Sequence, residues 1–269
     1  MSKNPNVVYL HVALMLAATA DVHSQDADEL AKQLSNPIAS LVSVPIQIND
    51  DEELGPAKEG SKILVNIQPV IPVSISDDWN MISRTIVPIV RLEDASQEPG
   101  TQSGLGDVLQ SLFFSPKAPT ASGWIWGVGP VLLAPTASDD LLGSEKWGTG
   151  PTVVVLKQTP NGWTYGALAN HVWSFAGDDE RPDVSSTFLQ PFLAKGLGLG
   201  RTLSVNFESS YDWKAEQWTV PLNLGYSKVA RIGDQLVSYQ GGIRYYFDAP
   251  DGGAEWGLRF TFTLLRPST

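Results

Sequence analysis

Four segments between Arg201 and Leu265 decide the fold: RTLSVNFESSYDW (201–213), WTVPLNLGYS (218–227), LVSYQGGIRYYF (236–247) and WGLRFTFTLL (256–265). In the first, Leu203, Val205, Phe207, Ser209, Tyr211 and Trp213 alternate with Thr202, Ser204, Asn206, Glu208, Ser210 and Asp212. In the last, Trp256, Leu258, Phe260, Phe262 and Leu264 alternate with Gly257, Arg259, Thr261 and Thr263. A period of two gives each strand one apolar and one polar face. A soluble sandwich can bury such a face, whereas a membrane barrel must present it to lipid and turn the polar face inward.

Working outward from these strands, turn signals cut the chain into twelve candidate strands. They are 40–50, 62–75, 81–92, 105–117, 124–137, 149–158, 163–176, 186–196, 201–213, 218–230, 235–247 and 256–265. Most exceed the usual globular length and suit tilted strands that cross a bilayer. Longer and shorter connections are expected to alternate, as between the loops and turns of outer-membrane barrels, which puts both termini on the periplasmic side. Of the 29 acidic residues, 18 fall in the longer connections, so one mouth is expected to be acidic and weakly cation-preferring. Trp79, Trp124, Trp126 and Trp163 lie near the short turns, and Trp147, Trp173, Trp213, Trp218 and Trp256 near the longer loops. Two such groups fit aromatic girdles at the headgroup levels. Prolines inside the strands, including Pro45, Pro69, Pro72, Pro88, Pro130, Pro191 and Pro221, each remove a ladder donor and call for local kinks or bulges.

The net charge of -11 argues against a nucleic-acid partner, which demands clustered Lys and Arg. The absence of cysteine removes thiolate metal sites, disulfides and cysteine nucleophiles. Residues 1–20 read as a signal peptide, with an apolar run from Val7 and a small-x-small pattern at Ala18-Thr19-Ala20, and cleavage as late as 24 is compatible with it. Residues 21–37 are expected to hold a short helix from Asp26 to Leu34, stopped by Asn36-Pro37 and docked at a barrel end or inside the lumen. Residues 38–269 form the barrel. The expected fold is thus all-β: a transmembrane antiparallel up-and-down β-barrel of about 12 strands.

Several phrases resemble a bacterial outer-membrane transporter family, also labelled the phenol-degradation meta-pathway protein family. They are Leu30-Ala31-Lys32 with Asn36-Pro37-Ile38-Ala39-Ser40-Leu41, then Asn66-Ile67-Gln68-Pro69-Val70-Ile71-Pro72, and Gln110 to Thr120. Thr164 to Ser174 and Gln190-Pro191-Phe192 complete the set, so the likeness spans nearly all of the chain beyond the signal. The resemblance implies an outer-membrane barrel passing small molecules, aromatic ones among them, and supplies no catalytic motif.

Residue chemistry points the same way. His171 with Asn170 and Ser174 invites comparison with outer-membrane lipases, but residues three apart on a strand face opposite sides, so no triad is expected. No metal set, cofactor motif or phosphate loop stands out. The best lumen constellation is Glu208, Arg244 and Arg259, with Asn206, Asn223 and Gln240 nearby. A symmetric connection between the last two strands sets Arg244 opposite Arg259, with Glu208 as their neutraliser. The expected function is a channel or transporter for small hydrophilic or aromatic solutes, with outer-membrane lipid as the surrounding partner and no enzyme activity. A closed structural barrel and a lipid-modifying enzyme are the alternatives.

Overall fold

The structure is a computed structural model that describes residues 24–94 and 100–267. The signal-peptide segment expected at residues 1–20 lies outside the described residues. A helix, α1 (Ser24–Leu34), precedes sixteen strand segments. These are β1 (Leu41–Leu54), β2 (Gly60–Ile67), β3 (Val70–Ser74), β4 (Trp79–Glu93), β5 (Thr101–Leu105), β6 (Val108–Pro116), β7 (Trp124–Ala134) and β8 (Lys146–Gln158). There follow β9 (Trp163–Gly177), β10 (Ser185–Gly198), β11 (Arg201–Phe207), β12 (Ser209–Asp212), β13 (Gln217–Thr219), β14 (Pro221–Ile232), β15 (Gln235–Tyr246) and β16 (Trp256–Pro267).

Four pairs of segments are single staves interrupted by a break: β2 with β3, β5 with β6, β11 with β12, and β13 with β14. The sixteen segments therefore make twelve staves of one closed antiparallel barrel. Closure is direct, because β1 pairs β16 from Leu41 opposite Pro267 to Glu52 opposite Trp256. Each break has a proline beside it, whose missing N–H interrupts the ladder. Pro69 separates β2 from β3, Pro221 opens β14 just after the break from β13, and Pro88 O accepts from Gly106 N where β5 gives way to β6. Pro191 stands across from the gap between β11 and β12, since Leu189 pairs Ser209 and Phe192 pairs Asn206. The kinks asked for by the sequence are located here.

Exposure follows the alternation. Leu203, Leu224, Tyr226, Ile243, Tyr245, Phe260, Phe262 and Leu264 are exposed on the outside. Thr202, Asn223, Ser238, Arg244, Arg259 and Thr263 are buried on the inside. Trp124 and Trp163 ring the short-turn end, while Trp147, Trp173, Trp213, Trp218 and Trp256 ring the other, all on the outer surface. Such belts suit a bilayer, where indole has an apolar body and a donor to satisfy. Among the described residues no helix is long and apolar enough to cross a membrane.

The asymmetry of connections is weaker than the sequence suggests. Residues 55–59 form a loop scarcely longer than the turn at 75–78, because β1 continues to Leu54 and carries the acid run with it. On the opposite side 117–123 exceeds the two-residue links at 199–200 and 233–234.

The helix begins two residues earlier than expected, with Asp26 in its first turn and Lys32 in its last, both favourable to the helix dipole. It sits within the short-turn end of the barrel. Leu30 and Ala31 pack with Leu41, Val229 and Leu265, and burying a leucine of this kind contributes about 1.5–3 kcal/mol. Asp28 Oδ1 accepts a hydrogen bond from Gly200 N at 2.7 Å. Gly200 takes a positive φ of 69° in that two-residue turn, a conformation costly for a residue with a Cβ. Beyond the helix, Ile38 enters the lumen and packs on Ile82, Phe113, Val154, Leu156 and Leu168. One side of the interior is therefore apolar and filled. The other side, formed by staves around β11, β14, β15, β16 and β1, remains polar.

Candidate functional site: the barrel lumen

The polar side of the lumen carries two ion pairs. Arg259 grips Glu208 with both terminal nitrogens, Nη1 to Oε1 at 2.8 Å and Nη2 to Oε2 at 2.6 Å. Its Nε donates to Asn49 Oδ1 at 2.7 Å, so the whole guanidinium fork is engaged. Glu208 reaches inward from the break opposite Pro191, and its backbone N–H bonds Pro221 O instead of a ladder partner.

The second pair joins Arg244 Nε to Asp51 Oδ1 at 3.1 Å, with side chains only 7% and 4% exposed. The contact is close but misaligned, since neither atom has a well-directed hydrogen bond, and it is best regarded as a charge contact. Arg244 also donates to Tyr246 Oη at 2.7 Å. Between the two residues lies Gly257, directly opposite both Asp51 and Arg244. A Cβ at that position would come within 2.5 Å of Asp51 Oδ1, so glycine leaves the opening through which the pair forms.

These facts correct the expected arrangement. Arg244 is opposite Gly257, and Arg259 is opposite Gly242, so the two arginines are offset by two residues and do not face each other. Glu208 makes its direct ion pair with Arg259, while Arg244 stands against Asp51. Asn206 and Asn223 are direct cross-strand partners, with Asn223 Nδ2 donating to Asn206 Oδ1 at 3.0 Å. Gln240 lies further toward the helix, bonded to Ser204 Oγ at 3.0 Å.

Four further residues belong to the network: Asn49, Asp51, Lys62 and Arg84. Asp51 hides in the run Asp50-Asp51-Glu52-Glu53, which reads as a loop. Extending the alternation of Ser43, Pro45 and Gln47 by two steps would have turned Asn49 and Asp51 inward. Lys62 pairs Asp51 in register, and Arg84 donates Nη2 to Gln68 Oε1 at 2.9 Å.

Three cavities line up along this side of the lumen and share walls. One of about 560 Å³ lies between α1 and the 159–162 turn, bordered by Asp28, Lys32, Ser35 and Arg201. The next, about 260 Å³, shares Ala31, Ser35 and Thr202 with the first and is lined by hydroxyls and amides including Ser204, Gln240 and Thr261. The third, about 190 Å³, shares Gln68, Gln190, Leu34 and Pro45 with the second and reaches Arg84. Gln190 Nε2 lies 3.4 Å from Glu208 Oε1, joining the chambers to the Arg259 pair.

Outside the lumen, His171 and Ser174 point to opposite faces, as their spacing requires. His171 is on the outer surface, its Nδ1 2.7 Å from Thr187 Oγ1 and its ring 4.1 Å from that of Trp173. Ser174 bonds Asp183 Oδ1 at 3.1 Å and Val184 N at 3.0 Å at the loop end. The Asp183 carboxyl is held below its ordinary range by that Ser174 hydrogen bond and by Lys146. Among the described residues no group of His, Asp and Glu is arranged to hold a metal ion.

With this geometry in hand, the chain can be set beside known proteins. No family model and no curated protein matches it. Solved structures do. An outer membrane channel from Pseudomonas putida F1 superposes with a TM-score of 0.65 at 14% identity, covering 84% of this chain and 94% of that one. Outer membrane phospholipase A from Escherichia coli superposes with a TM-score of 0.51 at 11% identity, covering 83% and 90%. The shared property is the barrel. At these identities the likeness concerns the fold, and the lumen network of this chain has to be interpreted from its own residues.

Proposed function

We propose that the protein is an outer-membrane channel that passes or binds small hydrophilic or amphipathic solutes, with the described ends of the barrel on the periplasmic side. The observation that carries this reading is the succession of chambers beside α1 whose walls carry hydroxyls and amides among apolar side chains, joined to the Glu208–Arg259 pair through Gln190. A closed structural barrel has no need of a hydroxyl- and amide-lined path, and an apolar filling like that around Phe113 would be more stabilising there. In a water-filled barrel, charged side chains on the lumen face tune which solutes pass. The outer membrane channel from Pseudomonas putida F1 supports the assignment through its fold. The proposed activity involves no catalysis, in keeping with the separation of His171 from Ser174 by the barrel wall.

Purified protein in planar bilayers is the test. The wild type is expected to show discrete current steps, and Arg259→Ala larger ones, because the guanidinium that projects into the lumen is removed. A protein that inserts and stays electrically silent in both forms would leave the closed barrel as the better reading.

A further inference from the structure

Six charged side chains gather in the polar part of the lumen: Asp51 and Glu208 against Lys62, Arg84, Arg244 and Arg259. Both carboxylates are occupied. Arg259 takes the two oxygens of Glu208, and Arg244 stands against Asp51 with Lys62 beside it. Arg84 differs from the other two arginines of the lumen network, since its hydrogen-bond partner is the neutral Gln68 and no carboxylate lies within ion-pair distance of it among the described residues. Glu208 is the carboxylate whose charge reaches Arg84, but both its oxygens are gripped by Arg259, so the half-buried Arg84 guanidinium keeps a face that a bound anion would satisfy.

The surroundings of Arg84 define what that anion is. It borders the 190 Å³ cavity, whose walls combine the amides of Gln68 and Gln190 with the apolar surfaces of Leu34, Val70 and Pro45. We propose that this cavity is a binding site for a small organic carboxylate, its headgroup held by the free face of Arg84 and its apolar body laid against Leu34, Val70 and Pro45. The proposal rests on the channel reading and names the solute class for it. A planar fork matches a carboxylate in two parallel hydrogen bonds, and Gln190 is placed to donate a further one. An inorganic phosphate would gain nothing from the apolar walls, and an uncharged solute would leave the arginine as it is. The excess of positive charge is local, inside a chain whose total is -11.

Sodium hexanoate is a suitable probe and hexanamide its uncharged control. Added to a chloride current in planar bilayers, hexanoate is expected to block the wild type, with hexanamide and phosphate at least about tenfold weaker. In Arg84→Gln the hexanoate block should weaken by about tenfold or more, as expected for loss of a charge-assisted pair. Should Arg84→Gln fail to give the compact band of a folded barrel in unheated SDS, Arg84→Lys serves instead. It keeps the charge and loses the fork, and a several-fold weaker block is expected. Calorimetry in detergent separates the two layers of the argument. Hexanoate binding without any current would keep the site and remove the conduit. Current with neither block nor binding would overturn the site and leave the channel. Equal block by hexanoate and phosphate, or block unchanged in the Arg84 variants, would likewise overturn it.

Discussion

Gly257 is the residue on which the lumen network turns, although it carries no side chain. A Cβ there would sit 2.5 Å from Asp51 Oδ1 and 2.6 Å from Asp50 O, and the second of these is a backbone atom in a paired strand. Gly257→Ala should therefore separate Asp51 from Arg244 and destabilise the barrel by on the order of 3 kcal/mol, the cost of leaving a buried charge without its partner. The temperature at which the protein unfolds in SDS would report it, and an unchanged value would show that the pair contributes little. The sequence made part of this scale legible. Glu208, Asn206, Asn223, Arg244 and Arg259 were readable as inward residues because each occupies a polar place in a strict alternation. Their partners were not, since a shift of two residues in the connection between β15 and β16 changes which arginine meets which carboxylate. Asp51 was hidden by its acidic neighbours, which make a strand end look like a loop.

At the scale of elements, loops and prolines depart from simple expectation for physical reasons. Residues 55–59 are tied to the 247–255 connection by Gly55 N bonding Gly252 O at 2.8 Å and by the ion pair of Lys58 with Glu255. The Glu255 carboxyl lies below its ordinary 4.5, chiefly through the hydrogen bond from Lys58, with another to Glu53 beside it. The Lys58 ammonium lies above its ordinary 10.5 for the reciprocal reason. A lowered acid stabilises above its unfolded pKa and ceases to do so as pH falls through the lowered value. A raised base stabilises below its unfolded pKa until pH rises through the raised value. The link between these loops should accordingly hold at neutral pH and weaken as pH drops below 4.5. Amide protection at 55–58 and 250–254 should then decrease relative to the strands, and equal protection at pH 3 and pH 7 would contradict it. The twelve staves themselves were legible from alternation and turn residues. The breaks within four of them were only half legible, because a proline announces a missing donor without saying which neighbouring strand will part. The docking of α1 could be expected from its Leu30 and Leu34, but its seat on Val229 and Leu265 depends on closure of the sheet.

As a whole molecule, the protein separates its charges. Acidic residues predominate in the loops, while the lumen network holds four bases against two acids, so the loops and the lumen network oppose each other in sign. Charges lining a constriction with low-dielectric walls act more strongly than exposed loop charges, which salt screens. The continuous ladder from β1 round to β16 also has no free edge from which to unravel. Unheated protein in SDS should consequently migrate faster than boiled protein, and identical mobility would argue against closure. The most direct test of the central claim, that the polar side of the lumen is the conduit, uses the lack of native cysteine. Ser204→Cys places one thiol in the middle chamber, and Leu203→Cys places one on the outer surface, where the native leucine is 53% exposed. A membrane-impermeant, positively charged thiosulfonate should cut the current through Ser204→Cys and leave Leu203→Cys unaffected. Current through Ser204→Cys that persists unchanged after complete modification of the thiol would contradict the account.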